Sequence, residues 1–113
     1  MPGVGLARYR GAVDRFDLDM AFAAADVAAG LERLCHKRGI PWSCSSAVPE
    51  HYQFTLKLHD TAAVQVEIRP LPAHRMTYVG AFPRTLLEAR GAAGVDLEAL
   101  RRDIVLAFMR VTG

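Results

Sequence analysis

The stretch His51-Tyr52-Gln53-Phe54-Thr55-Leu56-Lys57-Leu58-His59, followed by Ala63-Val64-Gln65-Val66-Glu67-Ile68-Arg69, decides the fold class. Apolar and polar residues alternate through both segments. Successive side chains of an extended chain point to opposite faces, so each segment reads as a strand with one apolar and one polar face. Asp60, Thr61 and Ala62 lie between them and suit a turn. A two-residue Asp60-Thr61 turn would set Leu58 opposite Ala63 and mix the two faces. A three- or five-residue loop that pairs Leu58 with Val64, Leu56 with Val66 and Phe54 with Ile68 keeps them separate. The polar face then pairs Lys57 with Gln65 and Thr55 with Glu67.

Strands are expected on either side of this hairpin. Trp42 and Cys44 alternate with serines up to Ser46, and Met76, Tyr78 and Phe82 share one side of the segment Arg75 to Phe82. Pro70 and Pro72 cannot donate ladder bonds, so they mark a connection. The expectation is a four-stranded antiparallel meander over roughly 42–46, 51–59, 63–69 and 75–82. A weaker alternation from Arg8 to Phe16, with Tyr9, Gly11 and Val13 on one side, adds a short fifth strand.

Two helices complete the reading. Met20, Ala24, Val27, Leu31 and Leu34 recur at helical spacing, which predicts a helix over about 19–38, capped by Asp17 or Asp19. Lys37 and Arg38 suit its last turn, Gly39 the left-handed position after it, and Pro41 blocks continuation. A second helix begins at Asp96, with Val95 as a staple, and carries Leu97, Leu100, Ile104, Phe108 and Val111 in one stripe. Residues 83–91, opened by Pro83 and closed by Gly91, read as a further helix, with an edge strand as the alternative.

An apolar sheet face needs a cover, and amphipathic helices supply one. The fold class is therefore α+β, a two-layer sandwich with the N- and C-terminal helices on one sheet face and the polar face open. Residues 1–7 read as a flexible tail and 8–113 as a single domain.

The chain has 113 residues, of which 51% are hydrophobic and 23% charged, with a net charge of +2. These proportions exclude a disordered chain, and no apolar run reaches the roughly 18 residues of a membrane span. Twelve of the fourteen basic residues are Arg, a bias typical of a GC-rich bacterial genome. Acids are interleaved with them, so no basic block marks a nucleic-acid surface, and a nucleic-acid partner is not expected. The N-terminal residues lack the pattern of a signal peptide, and two cysteines make no disulfide framework. A cytoplasmic protein with reduced thiols is the expectation.

The residues that carry chemistry have plain structural readings. His51 and His59 share a strand face but stand about 27 Å apart and cannot hold one metal ion. Cys35 and Cys44 fit buried structural thiols better than a redox pair. Ser43, Ser45 and Ser46 precede His51 and Glu50, yet no strained nucleophile elbow surrounds them. Gly3 and Gly5 lack the lysine and third glycine of a phosphate loop. No catalytic residue, cofactor or metal is expected.

Two surfaces stand out. The run Ile104-Val105-Leu106-Ala107-Phe108-Met109 is apolar without a break, and a helix apolar all round is buried on several sides or used as an interface. Val105, Phe108 and Met109 are the candidate interface residues. Thr55, Lys57, Gln65, Glu67 and Thr77 are the candidates on the open sheet face, with Thr55, Glu67 and Thr77 in one row and Lys57, Gln65 and Val79 in the next. The expected function is a non-catalytic binding or interaction module, partnered by another protein or by itself. The alternatives are a small-molecule binder or small enzyme with a pocket between helices and sheet lined by Trp42, Tyr52, Phe54 and Tyr78, and a weak nucleic-acid binder through Arg8, Arg10, Arg15, Arg101, Arg102 and Arg110.

Overall fold

The structure, a computed structural model, describes residues 14–58, 62–76, 80–92 and 95–112. The expected tail (1–7) and most of the expected N-terminal strand lie outside them. The elements run β1 (Arg15–Met20), α1 (Ala24–Arg38), β2 (Trp42–Ser45), β3 (Tyr52–Leu58), β4 (Ala62–Met76), β5 (Gly80–Arg90) and α2 (Glu98–Thr112). One five-stranded antiparallel sheet has the order β1-β5-β4-β3-β2. Both helices lie on its apolar face, so the α+β two-layer expectation stands.

β3 and β4 form the expected hairpin, with three residues between the paired Leu58 and Ala62. The register differs from the expected one by two residues. Leu56 faces Val64, Phe54 faces Val66 and Tyr52 faces Ile68. A two-residue slip keeps every side chain on its own face, so alternation alone does not choose between the two registers.

The C-terminal part of the sheet corrects the sequence reading. β4 continues through Pro70 and Pro72 to Met76, and β5 begins at Gly80. The prolines are tolerated because the pairing of β4 with β3 ends at Ile68, leaving no ladder bond to donate on that side. Beyond the Pro70–Thr85 pair, where β1 also ends, β4 and β5 continue as a two-stranded arm, with a register irregularity between Leu71 and His74. Residues 84–90 are not a helix. They belong to β5, an inner strand paired on both sides from Thr85 to Arg90, with Thr85, Leu87 and Ala89 buried and Arg84, Leu86, Glu88 and Arg90 on the other face. Burial between two strands overrides the helix preference of Leu, Glu, Ala and Arg.

The N-terminal boundary also moves. Among the described residues the strand runs Arg15–Met20, past the expected end at Phe16, and α1 begins at Ala24 rather than near 19. Met20 is buried as expected, but from the strand. Asp19 therefore caps no helix; its carboxylate accepts hydrogen bonds from Arg84 across the β1–β5 pair. The far end of α1 is as expected. Gly39 sits at φ 69°, and the Gly39 and Ile40 amides donate to the carbonyls of His36 and Cys35. Asp96 accepts the Glu98 N–H at 3.0 Å and caps α2.

The core lies between the layers. Val27, Leu31, Leu34 and Cys35 of α1 and Leu97, Leu100, Ile104 and Phe108 of α2 meet Phe54, Leu56, Val64, Val66, Ile68 and Leu87 of the sheet. Among the described residues, no helix is long and apolar enough to cross a membrane.

Candidate functional site

The apolar run of α2 does not have one environment. Ile104 is fully buried and Phe108 is 7% exposed, whereas Leu106 is 46% and Met109 60% exposed, with Val105 half-buried. Phe108, expected beside Val105 and Met109 at an interface, is thus a core residue. Its ring lies against Gly30 of α1, and its centroid is 5.2 Å from that of Phe22. The 3.6-residue period explains the split: 104 and 108 are one turn apart and face the sheet, while 105 and 109 fall to one side of them and 106, about 160° round from both, lies on the outer face.

Two recesses flank Phe108 as a result. One, of about 260 Å³, is walled by Leu18 and Met20 of β1, by Phe22, and by Val105, Phe108 and Met109 of α2. It joins two of the candidate interface residues to the edge strand. The other, of about 300 Å³, opens between the helices over Leu34, Leu106, Ala107 and Phe108, with Arg33, Lys37, Arg38 and Asp103 around it. Neither β1 nor the basic side of α1 was marked by sequence reasoning, because each recess is assembled from segments more than sixty residues apart.

On the open sheet face the observed register rewrites the rows. Thr55 lies opposite Gln65 rather than Glu67, and its hydroxyl donates to Gln65 Oε1 at 3.2 Å. Lys57 lies opposite Ala63. Thr77, placed in the first row from the sequence, is outside the described residues, as is Val79 of the second. One row now reads Arg15, Arg90, Gln65, Thr55 and Ser43; the next reads Asp17, Glu88, Glu67, Gln53 and Ser45. A basic row abuts an acidic one, and Arg69 reaches Glu88 at 3.5 Å. Charges that oppose their own sign along a row are neutralised across rows. The face therefore lacks the single-sign field that would steer a polyanion.

The remaining candidates have structural roles. Ser46 Oγ donates to the carbonyls of Val48 (3.0 Å) and His51 (2.7 Å), bracing the turn in which Glu50 adopts φ 66°. That hydroxyl serves backbone rather than the His51 imidazole. Arg101 is held by Glu98 through two hydrogen bonds, of 3.1 and 2.7 Å, so part of the expected basic edge of α2 is neutralised. Cys35 is buried and Cys44 exposed, both as free thiols. Burial, with Glu32 nearby, pushes the Cys35 thiol up to about 11, which keeps it protonated and unreactive. Of the residues expected to line a helix–sheet pocket, Phe54 is 1% exposed and the Trp42 ring packs beside it with centroids 5.7 Å apart. Tyr78 is outside the described residues. Among the described residues, no group of three or more His, Cys, Asp or Glu side chains is arranged to hold a metal ion.

Sequence reasoning missed Thr85. It is a fully buried polar residue whose hydroxyl donates to the Phe22 carbonyl at 2.6 Å, tying the β1–α1 connection to β5. Its signal was the alternation of Thr85, Leu87 and Ala89, masked by their helix propensity.

Comparison of the chain with protein-family models, with curated protein sequences and with solved structures gives no match.

Proposed function

We propose that this protein is a non-catalytic interaction module whose partner is a second copy of itself, docked through the C-terminal half of α2 and the neighbouring edge strand β1. The observation that carries the reading is the pairing of a projection with a recess on one patch. Met109 stands 60% exposed beside the recess walled by Leu18, Phe22 and Val105. A two-fold axis through such a patch seats each projection in the opposite recess, which is what a self-complementary interface requires. Methionine suits it because its unbranched chain adapts to irregular apolar surfaces.

β1 adds backbone to the same surface. Among the described residues it is an edge strand of the sheet, and an edge presents unpaired N–H and C=O groups to another chain. Arg15 opens it, Asp17 follows on the same face, and Asp19 beyond it is paired with Arg84. Antiparallel pairing of two such edges sets the basic end of one against the acidic end of the other.

Solution mass by light scattering across a concentration series tests the reading. The parent chain is expected to be a dimer. Met109→Asp, a change at an exposed position, is expected to give a folded monomer, and Val105→Asp with Met109→Asp the same with greater loss of stability. A parent that stays monomeric at its highest soluble concentration sinks the proposal, as does a dimer indifferent to Met109→Asp.

A further inference from the structure

The recess on the other flank of Phe108 differs from the first in its charge. Its floor is apolar, from Leu34, Leu106, Ala107 and Phe108. Its rim carries Arg33, Lys37 and Arg38 of α1 and Asp103 of α2. Arg38 is occupied, since its guanidinium donates to Asp103 at 3.1 Å. Arg33 and Lys37 have no ion-pair partner among the described residues. They are four residues apart, so they stand on the same side of α1, where two like charges destabilise a helix. Lys37 is repaid by the helix dipole in the last turn, but Arg33 is a turn too far inside for that.

We propose that this cavity binds an amphipathic carboxylate, a medium-chain fatty acid anion. The chain lies on Leu34, Leu106 and Ala107 against the Phe108 ring, and the carboxylate is held between Arg33 and Lys37. The volume of about 300 Å³ is at the lower end of the range of small-molecule sites, roughly 300–1,000 Å³. That suits a short chain rather than a two-chain lipid. The planar guanidinium of Arg33 offers a carboxylate two parallel donors, and Lys37 adds a mobile charge. An uncharged alcohol of the same length would leave both cations unsatisfied. A cationic amphiphile would be repelled by them.

The site is independent of the self-association surface, because the two recesses open on opposite sides of Phe108. It is tested by titrating ¹⁵N-labelled protein with sodium decanoate below its micelle concentration, in parallel with decanol, decyltrimethylammonium and anionic phospholipid vesicles. Saturable shifts centred on Leu34, Leu106 and Phe108 are expected with decanoate, with at least about tenfold weaker binding of the alcohol. Arg33→Gln combined with Lys37→Gln is expected to weaken decanoate by about tenfold or more while leaving the circular dichroism spectrum unchanged, since both residues are exposed. Leu106→Glu, also at an exposed position, is expected to abolish binding. The proposal is overturned by absence of saturable decanoate binding, by equal affinity for the cationic amphiphile, by binding indifferent to the double substitution, or by a response to vesicles alone.

Discussion

A methyl group on Gly30 would lie 2.5 Å from Cζ of Phe108, closer than any real carbon contact. The two helices touch where one has no side chain and the other has a phenyl ring. Gly30 is a poor helix former, and Ala at this position would gain about 1 kcal/mol of helix propensity. The clash decides against it. The ring also packs against Phe22, and displacing it to admit an extra carbon costs about 1–3 kcal/mol. Gly30→Ala is therefore expected to lower the free energy of unfolding by a net of up to about 2 kcal/mol. The same change in a Phe108→Leu background is expected to cost less, since the shorter side chain vacates the contact. A double-mutant cycle in urea measures that coupling, and additivity of the two changes would count against the contact.

Thr85 is predicted to matter for stability out of proportion to its size. Thr85→Val keeps the shape and the strand preference but leaves the Phe22 carbonyl without its 2.6 Å donor. An unsatisfied acceptor at a partly buried site costs about 1–3 kcal/mol, so the valine variant is expected to be destabilised by that amount. Thr85→Ser keeps the donor and should lose less. Chemical denaturation of the three proteins side by side distinguishes the hydrogen bond from simple packing, because only the bond ranks serine above valine.

The two cysteines are expected to behave differently. Cys44 is exposed and should be modified by a thiol reagent in the native protein, although partial burial and Glu32 raise its pKa and slow the reaction at neutral pH. Cys35 should react only when the chain unfolds. Its thiol is held at about 11 in the folded state, above the ordinary 9.0, so the folded chain keeps this proton more tightly than the unfolded one. The corresponding stability is complete below about pH 9 and is lost as pH rises towards 11. Cys35→Ala is expected to flatten that part of the stability curve. Equal slopes for parent and variant would show that Cys35 does not titrate differently on folding.

Much of the fold was legible in the chain because its signals are local. Alternation from Tyr52 to Ile68 assigns a face to each residue, and the period of Leu97, Leu100, Ile104 and Phe108 marks the buried stripe of α2. Gly39 and Asp96 terminate their helices through bonds to residues a few positions away. The two surfaces of the candidate site were half legible. Met109 and Leu106 read as surplus apolar residues, but nothing near them in the chain announces Leu18 and Phe22 on one flank or Arg33 and Lys37 on the other.

By itself the sequence determined the class of the fold, the faces of the β3–β4 hairpin, the C-terminal end of α1 and the start of α2, since each depends on residues within about one helical turn or one strand length. Only the tertiary structure decided that residues 85–90 form an inner strand, that Met20 is buried from a strand rather than from α1, and that the Phe108 ring seats on Gly30. Those outcomes depend on partners far away along the chain: Leu87 faces Leu18 on one side and Ile68 on the other. The burial gained between two strands outweighs a helix propensity of a few tenths of a kcal/mol per residue. The same long-range pairing sets the basic row of the sheet against the acidic one, because a two-residue slip preserves every face yet changes every neighbour.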